Sequence, residues 1–203
     1  MNQATVFIVD DEEAVRDSLQ WLLESSGLKV ALFDSAEAFL QGYDPAQPGC
    51  LVVDVRMPGM SGLDLQEKLT ELHYSIPVIF ITGHGDVPMA VQAVKHGAAD
   101  FLEKPFNDKE LLQIVQRCLE QDQQQRAKQQ QVDSTQSRLA SLTPREREVM
   151  QLVVAGKLNK QIADQLNISI KTVEAHRAKV MEKAGAHSLA ELVQIVLASR
   201  DSE

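Results

Sequence analysis

The stretch "CLVVDVRMPGMSG", residues 50–62, decides how the first half of the chain folds. Leu51, Val52 and Val53 form a short apolar run that reads as a strand buried on both faces. It delivers one carboxylate, Asp54, to the brink of a turn marked by Pro58, Gly59 and Gly62. A charge at the end of a core strand needs a reason, and the flanking sequence supplies one. "TVFIV" (5–9), "LKVALF" (28–33), "PVIFI" (77–81) and "ADFL" (99–102) are runs of the same kind. Amphipathic segments separate them, the first with Val15, Leu19, Leu22 and Leu23 on one helical face. Strand-helix units of this length predict a five-stranded parallel sheet, doubly wound, with helices on both sides. Such sheets bind ligands outside the carboxyl ends of their strands, which is where Asp54 stands.

Charge divides the chain in two. The formal net charge of -9 would argue against nucleic acid if it were spread evenly. Residues 1–120 instead hold 19 acids and 8 bases, residues 121–203 hold 10 acids and 12 bases, and 157–183 hold six bases and three acids. An acidic front and a mildly basic back suit a nucleic-acid module placed behind an acidic one. No apolar run reaches the ~18 residues of a membrane span, and "MNQATVFIVDDEE" is neither a signal nor a transit peptide. The expectation is a soluble, cytoplasmic protein with no membrane partner. Cys50 and Cys118 lie 68 residues apart, have no metal-ligand spacing and read as buried thiols.

Residues 121–131, "QDQQQRAKQQQ", are seven-elevenths glutamine and offer nothing to pack. Two readings stay open. The stretch is a flexible linker, or the helix opened by Asn107, with Glu110 three residues on, continues through it, since no Gly or Pro occurs from Phe106 to Thr143. Beyond it Thr143 as N-cap, Pro144 at N1 and Glu146 at N3 start a helix that Gly156 stops. Helices over 160–166 and 170–183 follow, separated by a tight turn, with Ser169 capping the second. A last helix begins at Ser188 and carries Leu189, Leu192, Val193, Val196 and Leu197 on one stripe, a candidate dimer interface. Four short helices, two joined by a tight turn, predict an all-α helix-turn-helix domain. The domains expected are thus 1–120, a joint over 121–140 and 141–203.

At the sheet edge Asp10 and Asp11 close the first strand and Asp54 closes the third. Three carboxylates meeting there would repel one another, so a cation should join them, and oxygen-only ligands favour Mg²⁺. Thr82 ends the fourth strand and offers a hydroxyl, while Lys104 ends the fifth and offers a compact positive charge. Carboxylate, metal, hydroxyl and ammonium together suit a phosphoryl group on Asp54.

"VDDEE", "DVRMPGMSG", "ITGHGDV" and "FLEKPF" resemble the receiver domain of two-component response regulators. The second half resembles the LuxR-type helix-turn-helix, and the order of the two is similar to the FixJ branch of the NarL/FixJ class. The resemblance implies a flavodoxin-like α/β receiver and a transcription regulator controlled by phosphorylation. By it Asp54 is the phosphoacceptor, and Asp10, Asp11, Asp54 and the backbone carbonyl of Arg56 carry Mg²⁺. Thr82 and Lys104 hold the phosphoryl oxygens, Phe101 is the switch aromatic and Lys104-Pro105 is a cis peptide. It further implies a sensor histidine kinase as donor, double-stranded promoter DNA as target, a homodimer on phosphorylation and contact with RNA polymerase. Dimerisation would use the surface around the fourth helix and the fifth strand.

In a helix-turn-helix the second helix enters the major groove, which makes "SIKTVEAHRAKVMEKAG" the reading element. Lys160, Lys171, Arg177, Lys179 and Lys183 supply positive charge for phosphates. The resemblance puts base contacts at Glu174, Ala175 and Ala178, with Thr172, His176 and Arg177 nearer the backbone.

Enzyme readings fail on spacing. Phosphatases of the haloacid-dehalogenase type need a second Asp two residues after the first, where this chain has Arg56. A nucleophile elbow around Ser61 needs glycine where Leu63 stands, and the glycine motif begun by Gly83 and Gly85 ends on Pro88. His84, in the loop after the fourth strand, reads as structural or exposed. Any chemistry is therefore self-directed, phosphate being gained and lost at Asp54.

Overall fold

The computed structural model describes residues 4–83, 91 and 93–200. His84, Gly85 and Pro88 lie outside the described residues, as do the rest of residues 84–90 and residue 92, on which part of the expected dimerisation surface falls. Five strands, β1 (Thr5–Val9), β2 (Lys29–Phe33), β3 (Gly49–Asp54), β4 (Val78–Thr82) and β5 (Asp100–Glu103), form one sheet in the order β2-β1-β3-β4-β5. Every pairing is parallel. Strand order reverses between β1 and β3, and the crevice outside their carboxyl ends is the switch point at which such sheets bind ligands.

The pleat explains the two cores. Phe7, Val9, Leu51, Val53 and Phe80 point to one side, against Phe39 of α2 (Ala36–Gly42) and Leu65 and Leu69 of α3 (Gly62–Glu71). Val6, Ile8, Cys50, Val52, Ile79 and Ile81 point to the other. There they meet Leu19 and Leu23 of α1 (Glu13–Ser25) and Leu111, Ile114, Val115 and Cys118 of α4 (Asp108–Ala140). β1, β3 and β4 are buried throughout, whereas the edge strands β2 and β5 are only partly covered. Both thiols are free and buried, and burial pushes the Cys50 thiol well up and the Cys118 thiol to about 11. Groups held so firmly as thiols are poor nucleophiles.

By its contacts the chain divides into Met1–Arg126 and Ala127–Glu203. α4 is a single 33-residue helix, so the glutamine-rich stretch is helical. Nor is that stretch without packing, contrary to the expectation from its composition. Asp122 is buried and accepts hydrogen bonds from the Gly49 N–H at 2.9 Å and from the Arg126 guanidinium, which also donates to the Pro45 carbonyl at 2.8 Å.

The second unit holds α5 (Pro144–Val154), α6 (Asn159–Leu166), α7 (Ile170–Ala184) and α8 (Leu189–Arg200). Thr143 and Glu146 form a reciprocal capping box on α5, and Ser169 caps α7 through the Thr172 N–H. The α6–α7 turn opens with Asn167 at φ 53, a left-handed conformation that Asn tolerates better than most residues. Val149, Val153, Ile162, Val173, Val180, Leu192 and Val196 form the core. The expected apolar stripe on the last helix is therefore divided: Leu192 and Val196 are spent on this core, and only Leu189 and Leu197 are exposed. Among the described residues no helix is long and apolar enough to cross a membrane.

Candidate functional site

β3 is buried along its whole length and ends on Asp54, which keeps 9% of its surface exposed. Past it the chain folds back at once. The Gly62 N–H bonds to the Val55 carbonyl at 3.0 Å, and a Cβ on Gly62 would stand 2.2 Å from the Asp54 carbonyl oxygen, so only glycine fits there. The Arg56 N–H donates to Asp54 Oδ2 at 2.6 Å. Gly59 takes φ +77, and Glu37 of α2 accepts the Met60 N–H at 3.1 Å, holding the far side of the loop.

Three of the expected groups come together here. Lys104 Nζ lies 3.1 Å from Asp10 Oδ2 and 3.1 Å from Asp54 Oδ1. β5 pairs with β4 in register Thr82↔Glu103, and the Lys104 N–H donates to the Thr82 carbonyl at 2.7 Å, which brings the buried Thr82 to the same edge. The Lys104-Pro105 peptide is cis. Phe101 is half-buried on β5, its ring centroid 6.4 Å from that of Phe80. Asp10 accepts the Glu12 N–H at 2.9 Å, and Arg16 donates to the Asp10 carbonyl at 2.7 Å.

The three carboxylates differ in their surroundings. Lys104 bridges Asp10 and Asp54, whereas Asp11 is exposed, and among the described residues no three acidic, His or Cys side chains are grouped to hold a metal. Burial raises the Asp54 pKa against the opposing pull of the Arg56 N–H and Lys104. At Lys104 burial works downward, but its contacts with Asp10 and Asp54 outweigh it and the net shift is upward. A buried carboxylate with a raised pKa is one that a further cation would help to ionise. Two carboxylates and main-chain oxygens are hard donors that leave room for water and phosphate, so the set fits Mg²⁺.

Sequence reasoning missed Glu37 and Arg16. Each stands early in a helix and reads as a surface charge, and only the folded loop discloses what it holds.

In the second unit, α7 exposes Lys171, Glu174, Ala175, Ala178 and Lys179 and buries Val173 and Val180. Thr172, His176 and Arg177 are half-buried at the margin, and Lys160 is exposed on α6. Arg177 donates to Asn159 Oδ1 at 2.8 Å, tying α7 to α6. Lys183, expected on phosphate, is committed within the fold: its Nζ lies 2.7 Å from Glu146 Oε2 and also donates to the Ser141 carbonyl. One face of α7 is thus solvent-facing and carries two lysines, Glu174 and two alanines.

Comparison with known proteins covers both units. Residues 6–116 match the family described as "Response regulator receiver domain", and residues 140–196 match "Bacterial regulatory proteins, luxR family". The chain is 48% identical to Nodulation protein W of Bradyrhizobium diazoefficiens over 95% of this chain and 85% of that protein. It is 49% identical to Transcriptional regulatory protein FixJ of Rhizobium meliloti over 98% of this chain and 97% of that one. Among solved structures, response regulator StyR is similar at a TM-score of 0.92 and 46% identity, covering 97% of this chain and 99% of its own. Full-length FixJ from B. japonicum is similar at a TM-score of 0.59 and 42% identity, covering 99% of each chain.

Proposed function

The chain belongs to the response regulators that join a receiver domain to a LuxR-type DNA-binding domain and regulate transcription on phosphorylation, and from that premise we propose that Asp54 carries the phosphoryl group. One observation supports this edge as the phosphoryl site: Lys104 bridges Asp54 and Asp10 at 3.1 Å on each side, at the switch point of the sheet. An ammonium held there already occupies the place where phosphoryl oxygens would need a counter-charge.

In the proposed step a carboxylate oxygen of Asp54 attacks the phosphorus of a phosphohistidine on a sensor kinase. The O–P bond forms as the N–P bond breaks, and the departing imidazole keeps the electron pair and takes up a proton. Lys104 and the Thr82 hydroxyl hold the phosphoryl oxygens. Receiver domains generally bind Mg²⁺ at the phosphorylation site; here Asp10, Asp11, Asp54 and the Arg56 carbonyl would hold it, and it would neutralise charge on the transferring group. Water later cleaves the acyl phosphate and restores Asp54, so this chain's own chemistry begins and ends on one side chain.

Phosphorylation adds roughly two negative charges. Thr82 and Lys104 move toward them, Phe101 turns inward, and the receiver becomes competent to form a homodimer. Carrying such a switch from 1:99 to 99:1 takes about 5.5 kcal/mol of differential stabilisation. The dimer binds promoter DNA through α7, raises operator affinity through effective concentration, and meets RNA polymerase in the cytoplasm. Lys160, Lys171 and Lys179 contact phosphates, with Thr172, His176 and Arg177 beside the backbone, while Glu174, Ala175 and Ala178 face base edges.

The test is operator binding by the wild-type chain and by Asp54→Asn, each with and without acetyl phosphate and Mg²⁺. Tighter binding on phosphorylation in the wild type alone is expected. An equal gain in Asp54→Asn would contradict the assignment.

A further inference from the structure

Ile170 is the first residue of α7 and is 46% exposed. It belongs neither to the buried core of the helical unit nor to the partly buried residues packed against that core. Capping does not explain it, because Ser169 performs that role, and a β-branched residue brings no gain in helix propensity. Its position on the helix is informative. Glu174 and Ala178 follow at four and eight residues, so with about 3.6 residues per turn all three lie along one exposed face. The other outward residues of this face are charged or are alanine. Ile170 is therefore the one large apolar side chain among the described residues of the face proposed to read DNA, and it stands at the helix end that penetrates the groove.

The major groove offers one apolar partner, the C5-methyl of thymine. We propose that Ile170 packs on a thymine methyl beside the base pair met by Glu174, and so sets sequence preference at one position of each half-site. This inference rests on the reading of α7 as the recognition helix and adds a residue and a base chemistry to it.

The experiment uses the full chain phosphorylated with acetyl phosphate and Mg²⁺. Random duplexes are selected with the wild type, and each thymine of the selected half-site is then replaced in turn by deoxyuridine, which removes only the methyl. Binding is compared for wild type, Ile170→Ala and Ile170→Val, with thermal unfolding confirming that each variant is folded. Wild type is expected to weaken at one thymine by about fourfold, the ratio that burial of one methyl group is worth. Ile170→Val should keep that sensitivity and Ile170→Ala should lose it. A methyl effect of equal size in Ile170→Ala, or none at any thymine in the wild type, overturns the inference while leaving α7 as the recognition helix. A selected pool without enrichment overturns both.

Discussion

Asp122 on α4 accepts the main-chain N–H of Gly49 at 2.9 Å across 73 residues, tying the glutamine-rich part of the helix to the start of the strand that ends in Asp54. Both groups are buried, so neither has water in reserve. Asp122→Ala leaves the Gly49 N–H without an acceptor and frees the Arg126 guanidinium. The expected loss is about 1–3 kcal/mol in urea unfolding followed by circular dichroism. Asp122→Asn keeps an acceptor and should recover part of it.

Glu37 holds the loop that follows Asp54 through the Met60 N–H, yet touches neither Asp54 nor Lys104 in any hydrogen bond of that site. Glu37→Ala should therefore alter the loop carrying the Arg56 carbonyl more than it alters the fold. The Mg²⁺ needed for half-maximal phosphorylation by acetyl phosphate should rise on the order of tenfold, the usual cost of removing an outer support of a metal site. Unfolding stability should move by no more than about 0.5 kcal/mol. A parallel loss of stability, or an unchanged Mg²⁺ requirement, would assign Glu37 a purely structural role.

The Lys183 ammonium and the Thr143 cap hold the Glu146 carboxyl down to about 2 from an ordinary 4.5. A carboxyl depressed in the folded state stabilises it fully above the ordinary pKa and loses that contribution as pH falls through the folded one. Wild type should thus exceed Glu146→Gln in stability at neutral pH, with the gap closing between about 4.5 and about 2. Circular dichroism melts across that range measure it.

α8 separates core from surface within two turns. Leu192 is fully buried, and Leu192→Ala should cost about 2–5 kcal/mol. Leu189 and Leu197 are 46% and 50% exposed, so Leu189→Glu with Leu197→Glu should leave monomer stability within roughly 1 kcal/mol. If this face joins two phosphorylated chains, the double variant lowers the dimer fraction in sedimentation. An unchanged dimer fraction would place that contact elsewhere.

The architecture was legible because its signals are local. Alternation along β1 and β3 separates Val6, Ile8 and Val52 from Phe7, Val9 and Val53, and Thr143, Pro144 and Glu146 announce α5 in four residues. At the site, Asp10, Asp54, Thr82 and Lys104 all sit at strand ends, and a parallel sheet carries strand ends to one edge. What sequence cannot give is partnership across distance. Asp122 looks like one more polar residue in a solvated helix until Gly49 is beside it. Lys183 reads as another base on a DNA-facing helix until Glu146 takes it, and the whole α8 stripe passes for interface until the core claims Leu192 and Val196. Asp11 shows the converse: it adjoins the buried Asp10 in the chain, yet it is exposed.

The central claim is a single bond between Asp54 and phosphorus. After brief treatment with acetyl phosphate and Mg²⁺, reduction with borohydride converts an aspartyl phosphate to homoserine, and peptide mapping by mass spectrometry locates it. Conversion at Asp54 in the wild type, and at no aspartate in Asp54→Asn, is the expected result. Conversion at another aspartate, or none in a protein that still gains operator affinity with acetyl phosphate, would contradict it.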